Sequence, residues 1–159
     1  MNEILKLLEK DARMSAKQMA AMLGKSEAEV EACMAACEEN HTILKYTAIV
    51  DWDRTDVDNV TALIEVKMSP QRGDGFDRIA ERIYQYEEVD SLFLMSGAYD
   101  LSVIMTAKSI KEVAEFVFAK LATIDGVSGT STHFILKKYK EKGCLFYKAP
   151  EQEERIHFV

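Results

Sequence analysis

Residues 4–15 read Ile4-Leu5-Lys6-Leu7-Leu8-Glu9-Lys10-Asp11-Ala12-Arg13-Met14-Ser15, and the chain runs on to a turn at Leu23-Gly24-Lys25-Ser26. The apolar residues Ile4, Leu5, Leu7 and Leu8 predict a first helix that breaks near Asp11. Ser15 is followed three residues later by Gln18, and Ser26 by Glu29. Each pair has the form of a capping box, in which a hydroxyl and a longer side chain satisfy the free N–H groups of a helix start. A second helix is expected from about Lys17 to Leu23, with Met19, Ala20 and Leu23 on one face, and Gly24 supplies a permissive backbone for the turn. A third begins near Glu27, places Val30, Met34 and Cys37 on one stripe, and ends near Asn40, with Asn40 or His41 as its exit. A short helix, a glycine turn and a capped third helix form the pattern of a helix-turn-helix, whose usual ligand is duplex DNA. A plain three-helix core is the alternative reading of the same segment.

Beyond the head, residues 46–50 predict a linker strand, and Asp51 to Asp58 is polar and turn-like. Ala62, Ile64, Val66 and Met68 then alternate with Leu63, Glu65 and Lys67, the period of a strand. Pro70 to Gly75 reads as a loop, and Phe76, Ile79, Ala80 and Ile83 recur at helical spacing. Val89–Met95 and Leu101–Ala107 predict two strands joined by Ser96-Gly97-Ala98-Tyr99-Asp100. Ser109 and Glu112 form another capping box, opening a helix with Ile110, Val113, Phe116, Val117 and Leu121 inward. Gly126 and Gly129 bracket a turn, and Thr130–Leu136 is a last strand. The order β-α-β-β-α-β is the ferredoxin-like arrangement, an antiparallel sheet with helices on one face. The other face needs a cover, and a second copy packed sheet to sheet supplies one, predicting a homodimer. The expected fold is therefore α+β, with a helix-turn-helix (winged-helix-like) domain at 1–45 and a strand linker at 46–60. A ferredoxin-like effector and oligomerisation domain follows at 61–142. The tail, 143–159, contains Cys144-Leu145-Phe146-Tyr147, a short extra strand, and then a charged end.

A chain of 159 residues with 48% apolar and 30% charged content and a formal net charge of −7 is a soluble globular protein of one domain or two small ones. A helical head this small leans on a partner domain or subunit. No segment approaches a membrane span, and the start of the chain lacks a signal-peptide pattern. Three scattered cysteines predict reduced thiols and a cytoplasmic address.

Head, linker and body together resemble the Lrp/AsnC family, the leucine-responsive and asparagine-synthetase regulators. The resemblance covers about residues 4–142. It is carried by Leu7-Leu8 with Asp11 to Ser15, by Leu23-Gly24-Lys25-Ser26, by the linker Ile43 and Tyr46-Thr47-Ala48, and by Ser96-Gly97-Ala98-Tyr99-Asp100. The last is similar to the family's small-Gly-x-aromatic-Asp loop. The resemblance implies a transcriptional regulator that binds double-stranded DNA as a homodimer or a ring of dimers (tetramer or octamer). It also implies a small effector such as an amino acid, held at contacts between dimers. Gly97, Tyr99 and Asp100, with Thr132 from a neighbouring strand, are the expected effector-binding residues. Exposed backbone there suits a carboxylate, Asp100 an amino group, and Tyr99 a pocket wall. The plainer reading is a tight hairpin in which Asp100 bonds its own backbone.

The chain departs from the family where the family usually places arginines along the recognition helix. The aligned positions hold Ala32, Cys33, Ala35 and Ala36, among the acids Glu27, Glu29, Glu31, Glu38 and Glu39. Residues 1–45 carry six basic and eight acidic side chains. DNA affinity draws on phosphate neutralisation, and each missing Arg removes a bidentate guanine contact worth roughly 1–3 kcal/mol. Acids at the helix start are favoured by its dipole; the alanines have no such reason. The expected DNA-binding residues are Arg13, Lys17, Gln18, Lys25 and Ser26. The second reading is an effector-binding regulator with a degenerate helix-turn-helix that docks protein instead of DNA.

Cys33, Cys37 and His41 recur every four residues, so one helix face with soft metal ligands stands against plain core packing. A structural zinc site needs a fourth ligand, and no metal is expected. Lys137, Lys138, Lys140 and Lys142 form a basic run, read as a solvated end or as a contact to DNA or to a neighbour's acids. His133 alternates with Thr132 and Phe134 and belongs to the sheet. No P-loop, GxGxxG after a strand, GxSxG or HExxH is present, so neither enzyme activity nor a cofactor is expected. Some proteins resembling this family decarboxylate tetrapyrroles, but no residue here favours that chemistry.

Overall fold

The structure, a computed structural model, describes residues 1–69 and 75–146. The chain divides into two compact units, Met1–Val50 and Asp51–Val159.

The first unit holds three helices, α1 (Asn2–Lys10), α2 (Ala16–Leu23) and α3 (Glu27–Glu39). Both predicted capping boxes form. Gln18 N–H donates to Ser15 Oγ at 3.2 Å while Ser15 N–H donates to Gln18 Oε1 at 2.9 Å. Glu29 N–H donates to Ser26 Oγ at 3.3 Å, and Ser26 N–H donates to Glu29 Oε2 at 2.8 Å. Gly24 closes α2 in the left-handed region at φ 64°, and Lys25 N–H returns to Ala20 O. The exit of α3 is shared: Asn40 is the cap, and His41 takes the left-handed position at φ 58°. The core is Ile4, Leu8, Met19, Ala20 and Val30, with Cys37 also buried. Each of Ile4, Leu8, Met19 and Val30 contributes about 1.5–3 kcal/mol by leaving water. The linker strand expected at 46–50 does not form: the segment carries no regular structure, and only at Val60 does a ladder begin. A strand needs a neighbour for its backbone groups, and residues 46–50 pair with none among the described residues.

The second unit contains the sheet β1 (Val60–Met68), β2 (Val89–Leu94), β3 (Leu101–Ala107) and β4 (Val127–Phe134) with helices α4 (Gly75–Tyr84) and α5 (Ile110–Phe116). Strand order is β2-β3-β1-β4, with antiparallel neighbours throughout. This is the βαββαβ fold. Ala62, Ile64, Val66 and Met68 of β1 and Leu101, Val103 and Met105 of β3 pack under Ile79 and Ile83 of α4 and Val113 and Phe116 of α5. On the opposite face, register sets Leu63 beside Ile104 and His133, and Glu65 beside Ser102 and Ser131, while Phe93 lies next to Ser102.

Four details correct the sequence reading. Ile110 is 59% exposed rather than inward, being the first residue of α5, while Val113, Phe116, Val117 and Leu121 are buried. Glu112 does not complete a box with Ser109: Ser109 Oγ accepts Glu112 N–H at 3.2 Å, but the Glu112 carboxylate accepts Lys108 N–H at 3.0 Å. A π-helical turn, Val117–Leu121, extends α5, with Ala122 N–H reaching Val117 O. Gly129 lies inside β4 opposite Lys67, so Gly126 (φ 95°) alone marks the turn. The loop residues 70–74 and the tail from Tyr147 lie outside the described residues. The extra strand is present as a small hairpin, β5 (Lys140–Glu141) with β6 (Cys144–Leu145).

Candidate functional site

In the head, Lys17 and Gln18 lie in the first turn of α2, Lys25 and Ser26 at the start of α3, and Arg13 in the turn between α1 and α2; all are exposed. Gln18 and Ser26 are engaged by their caps. The Ser26 hydroxyl, then its N–H, hold the Glu29 carboxyl below the usual carboxylate range. The exposed cations the sequence singled out are therefore Arg13, Lys17 and Lys25. The solvent side of α3 presents Ala28, Glu31, Ala32, Ala35, Ala36 and Glu39, with no basic residue. Tyr46 donates its hydroxyl to Glu38 Oε1 at 2.8 Å, and its phenol is pushed up by burial and then by that carboxylate.

Cys33 is half-buried and Cys37 buried. Burial, then the neighbouring Cys33, push the Cys37 thiol up. His41 stands beyond the last helical residue, Glu39, so the three do not share a helix face. Among the described residues, no group of three or more His, Cys, Asp or Glu side chains is placed to hold a metal ion.

In the body, the loop 96–100 is tied to the end of β1. Asp100 N–H donates to Val66 O at 3.0 Å, Met95 N–H to Asp100 O at 2.8 Å, and Lys67 Nζ to Ala98 O at 2.7 Å. Met68 N–H donates to Asp100 Oδ2 at 2.7 Å. The carboxylate thus bonds a neighbouring strand and not its own loop, unlike the tight-hairpin reading. Gly97 is exposed and outside the left-handed region, and a side chain there would meet open space. Its contribution is bare, accessible backbone. Tyr99 is half-buried beside it. Thr132 sits opposite Ile64, on the helix-covered face, two residues along β1 from Val66 and four from Met68. Gly97, Tyr99 and Asp100 share one loop, and Thr132 lies on β4. Lys67, which clamps the loop, escaped the sequence reading; its place at the end of β1 was the available signal.

His133 Nε2 lies 3.1 Å from Glu65 Oε2 and 3.2 Å from Ser131 Oγ. Both partners approach the same ring nitrogen, whereas a hydrolytic triad needs them on opposite nitrogens. The cluster is a set of surface hydrogen-bonding contacts on the sheet.

A capped three-helix head and a βαββαβ body define a two-module α+β protein. The winged helix-turn-helix DNA-binding family matches residues 2–43, and the Lrp/AsnC ligand binding domain matches residues 61–145. The chain belongs to the Lrp/AsnC family of transcriptional regulators. It is 45% identical to the HTH-type transcriptional regulator YugG of Bacillus subtilis over 97% of this chain and 93% of that protein. Its fold is similar to that of AsnC from E. coli (TM-score 0.68, 19% identity, covering 87% of this chain and 91% of that one). It is also similar to the regulator NMB0573 from Neisseria meningitidis in complex with L-Met (TM-score 0.70, 20% identity, 87% and 89%). No helix among the described residues is long and apolar enough to cross a membrane.

Proposed function

We propose that this protein is an amino-acid-responsive regulator that binds double-stranded DNA through its head and its effector at the loop 96–100. The observation that carries the reading is that loop: exposed backbone at Gly97, a half-buried carboxylate at Asp100 and the aromatic ring of Tyr99, on a loop tied to β1 through Ala98 and Asp100. An amino acid offers the complementary pair, a carboxylate for backbone N–H groups and an ammonium for Asp100. The L-Met complex of the NMB0573 regulator supports this effector class. The sheet face turned away from α4 and α5, with Leu63 and Ile104 at its centre and Phe93 on the edge strand, supports a homodimer.

The solvent side of α3 favours a second reading, in which the head docks protein. A face of alanines and glutamates repels phosphate and offers small apolar contacts. Fluorescence anisotropy separates the two. The protein is titrated into labelled duplex from upstream of its own gene and into a scrambled duplex, from about 50 to 200 mM salt, where phosphate-driven binding falls steeply. Preference for the upstream duplex that survives the higher salt is the expected result. Weak, equal binding to both, or none, assigns the head to protein partners.

A further inference from the structure

The edge strand β2 has an open side. Sheet order places it at one margin, with β3 as its single neighbour among the described residues. Outside that ladder its backbone bonds once among the described residues, where Val89 N–H donates to Tyr86 O at 3.1 Å. The N–H and C=O groups that point away from β3 are therefore a template for another strand. Such edges are commonly blunted by lysine, proline or a bulge. The strand Val89-Asp90-Ser91-Leu92-Phe93-Leu94 holds neither lysine nor proline, and its irregularity lies at the start, between Val89 and Ser91. From Ser91 to Leu94 the register is regular.

Helix α4 runs beside this edge, and a groove of about 300 Å³ separates the two. Phe76 and Tyr84 of α4 and Leu92 and Leu94 of β2 line it. Leu94 stands opposite the buried Leu101, so it belongs to the helix-covered face, yet it is 65% exposed. Phe76 and Tyr84 are exposed as well. The helix thus stops short of the edge and leaves its own aromatic residues uncovered. The lining residues include two acids, Asp77 on α4 and Asp90 on β2, and no basic one. Asp90 Oδ2 accepts the Thr106 hydroxyl at 2.7 Å, which holds that carboxylate beside the edge strand. An extended segment bonded to β2 turns every second side chain toward the groove, and the acidic border favours lysine or arginine in that segment. A second copy of this chain, with the same two acids and a net charge of −7, meets like charge here.

We infer that the groove between α4 and β2 is a peptide-docking site, in which an extended basic segment of another protein adds a strand to β2 and seats alternate apolar side chains against Phe76, Tyr84 and Leu94. The site lies wholly within the second unit and is independent of how the head is used. Main-chain bonds to the edge supply affinity without regard to side chains, and the groove selects which residues alternate.

The probe is a fluorescein-labelled peptide of about eight residues, alternating valine and lysine, titrated into the full chain and followed by anisotropy. A control peptide exchanges its central valines for proline, which keeps the charge and removes the N–H groups a ladder needs. The valine-lysine peptide is expected to bind saturably, and the proline peptide about tenfold more weakly or worse. Leu94→Ser should also lose about tenfold, whereas Phe118→Ser, at an exposed apolar residue of the π turn, should keep the parent's affinity. Circular dichroism confirms that each variant is folded. Amide exchange at residues 91–94 should slow on binding, a mark that charge attraction alone does not leave. Equal binding of the two peptides, or binding without that protection, overturns strand addition. So does the absence of saturable binding up to about 1 mM peptide. Amides 91–94 that are already protected in the concentrated protein and released on dilution place a second copy on this edge, which overturns the proposal as well.

Discussion

The carboxylate of Asp100 and the backbone N–H of Met68 meet at 2.7 Å, across the gap between the β2–β3 loop and the end of β1. A charged acceptor on a buried-strand N–H is worth more than a neutral bond, about 1.5–3 kcal/mol. Asp100→Ala should therefore lower unfolding stability by about 1.5 kcal/mol in urea, allowing for the half-exposed site. Asp100→Asn retains an acceptor oxygen and should cost less than half of that. In calorimetric titration with amino acids, the Asn variant should still lose effector affinity, because the ammonium's counter-charge is gone. An Asn variant that binds as well as the parent removes Asp100 from the effector site.

Ala32 and Ala36 are exposed on α3, so arginines there fit without disturbing the core. The double variant Ala32→Arg with Ala36→Arg should change stability by less than about 0.5 kcal/mol. It should steepen the salt slope of DNA binding by roughly 0.9 for each phosphate reached. If the parent already reads a site through this helix, the sequence preference should change as well.

Ser26 caps the start of α3, and Ser26→Ala should cost about 1 kcal/mol. The penalty carries a pH signature. Ser26 holds the Glu29 carboxyl below its unfolded value, so that stabilisation is complete above the ordinary carboxylate range. It is lost as pH falls through the lowered folded value. Thermal melts of parent and variant should therefore converge in acid and separate toward neutrality; a difference that grows on acidification contradicts the cap geometry.

The cysteines should report their surroundings by rate. Cys144 is exposed, Cys33 half-buried, and Cys37 buried with its thiol pushed up. Reaction with an aromatic disulfide reagent at neutral pH should proceed in that order, with Cys37 reacting only on unfolding. Early modification of Cys37 would mean the head opens readily.

Ile104 lies opposite Leu63 on the two central strands, on the sheet face turned away from α4 and α5. If that face joins two copies, Ile104→Glu buries a charge in the joint at a cost of about 3 kcal/mol or more, roughly a hundredfold in dissociation constant. Sedimentation should show monomer at concentrations where the parent is dimeric. A folded variant that remains dimeric moves the interface elsewhere.

Local rules made the head legible. Ser15 with Gln18, Ser26 with Glu29, and Gly24 each act within a few residues, and each formed as read. Period two in Ala62–Met68 likewise predicted the buried face of β1. Sequence reading failed where the partner is distant or the difference is a single residue. The 46–50 segment has strand-forming residues but no ladder neighbour among the described residues, and the π turn at Val117–Leu121 keeps an ordinary apolar stripe. Glu112 chose Lys108 N–H over Ser109, a rotamer-scale decision invisible in spacing. The loop 96–100 was recognisable only by resemblance, because its anchors Val66, Lys67 and Met68 lie about thirty residues away.

The irregularity in β1 has a mechanical consequence. The ladder to β4 is in step from Ala62 to Lys67 and then slips, Met68 facing Val127 rather than the next residue in sequence. Lys67 and Met68 are also the residues that grip the 96–100 loop. The sheet thus has a seam at the point where the loop is moored. A load applied to that loop falls on the stretch of β1 where its pairing with β4 changes register, and the in-step remainder of the strand stays clamped. Amide exchange should accordingly be fastest at this end of β1, and slow there first when the loop is occupied.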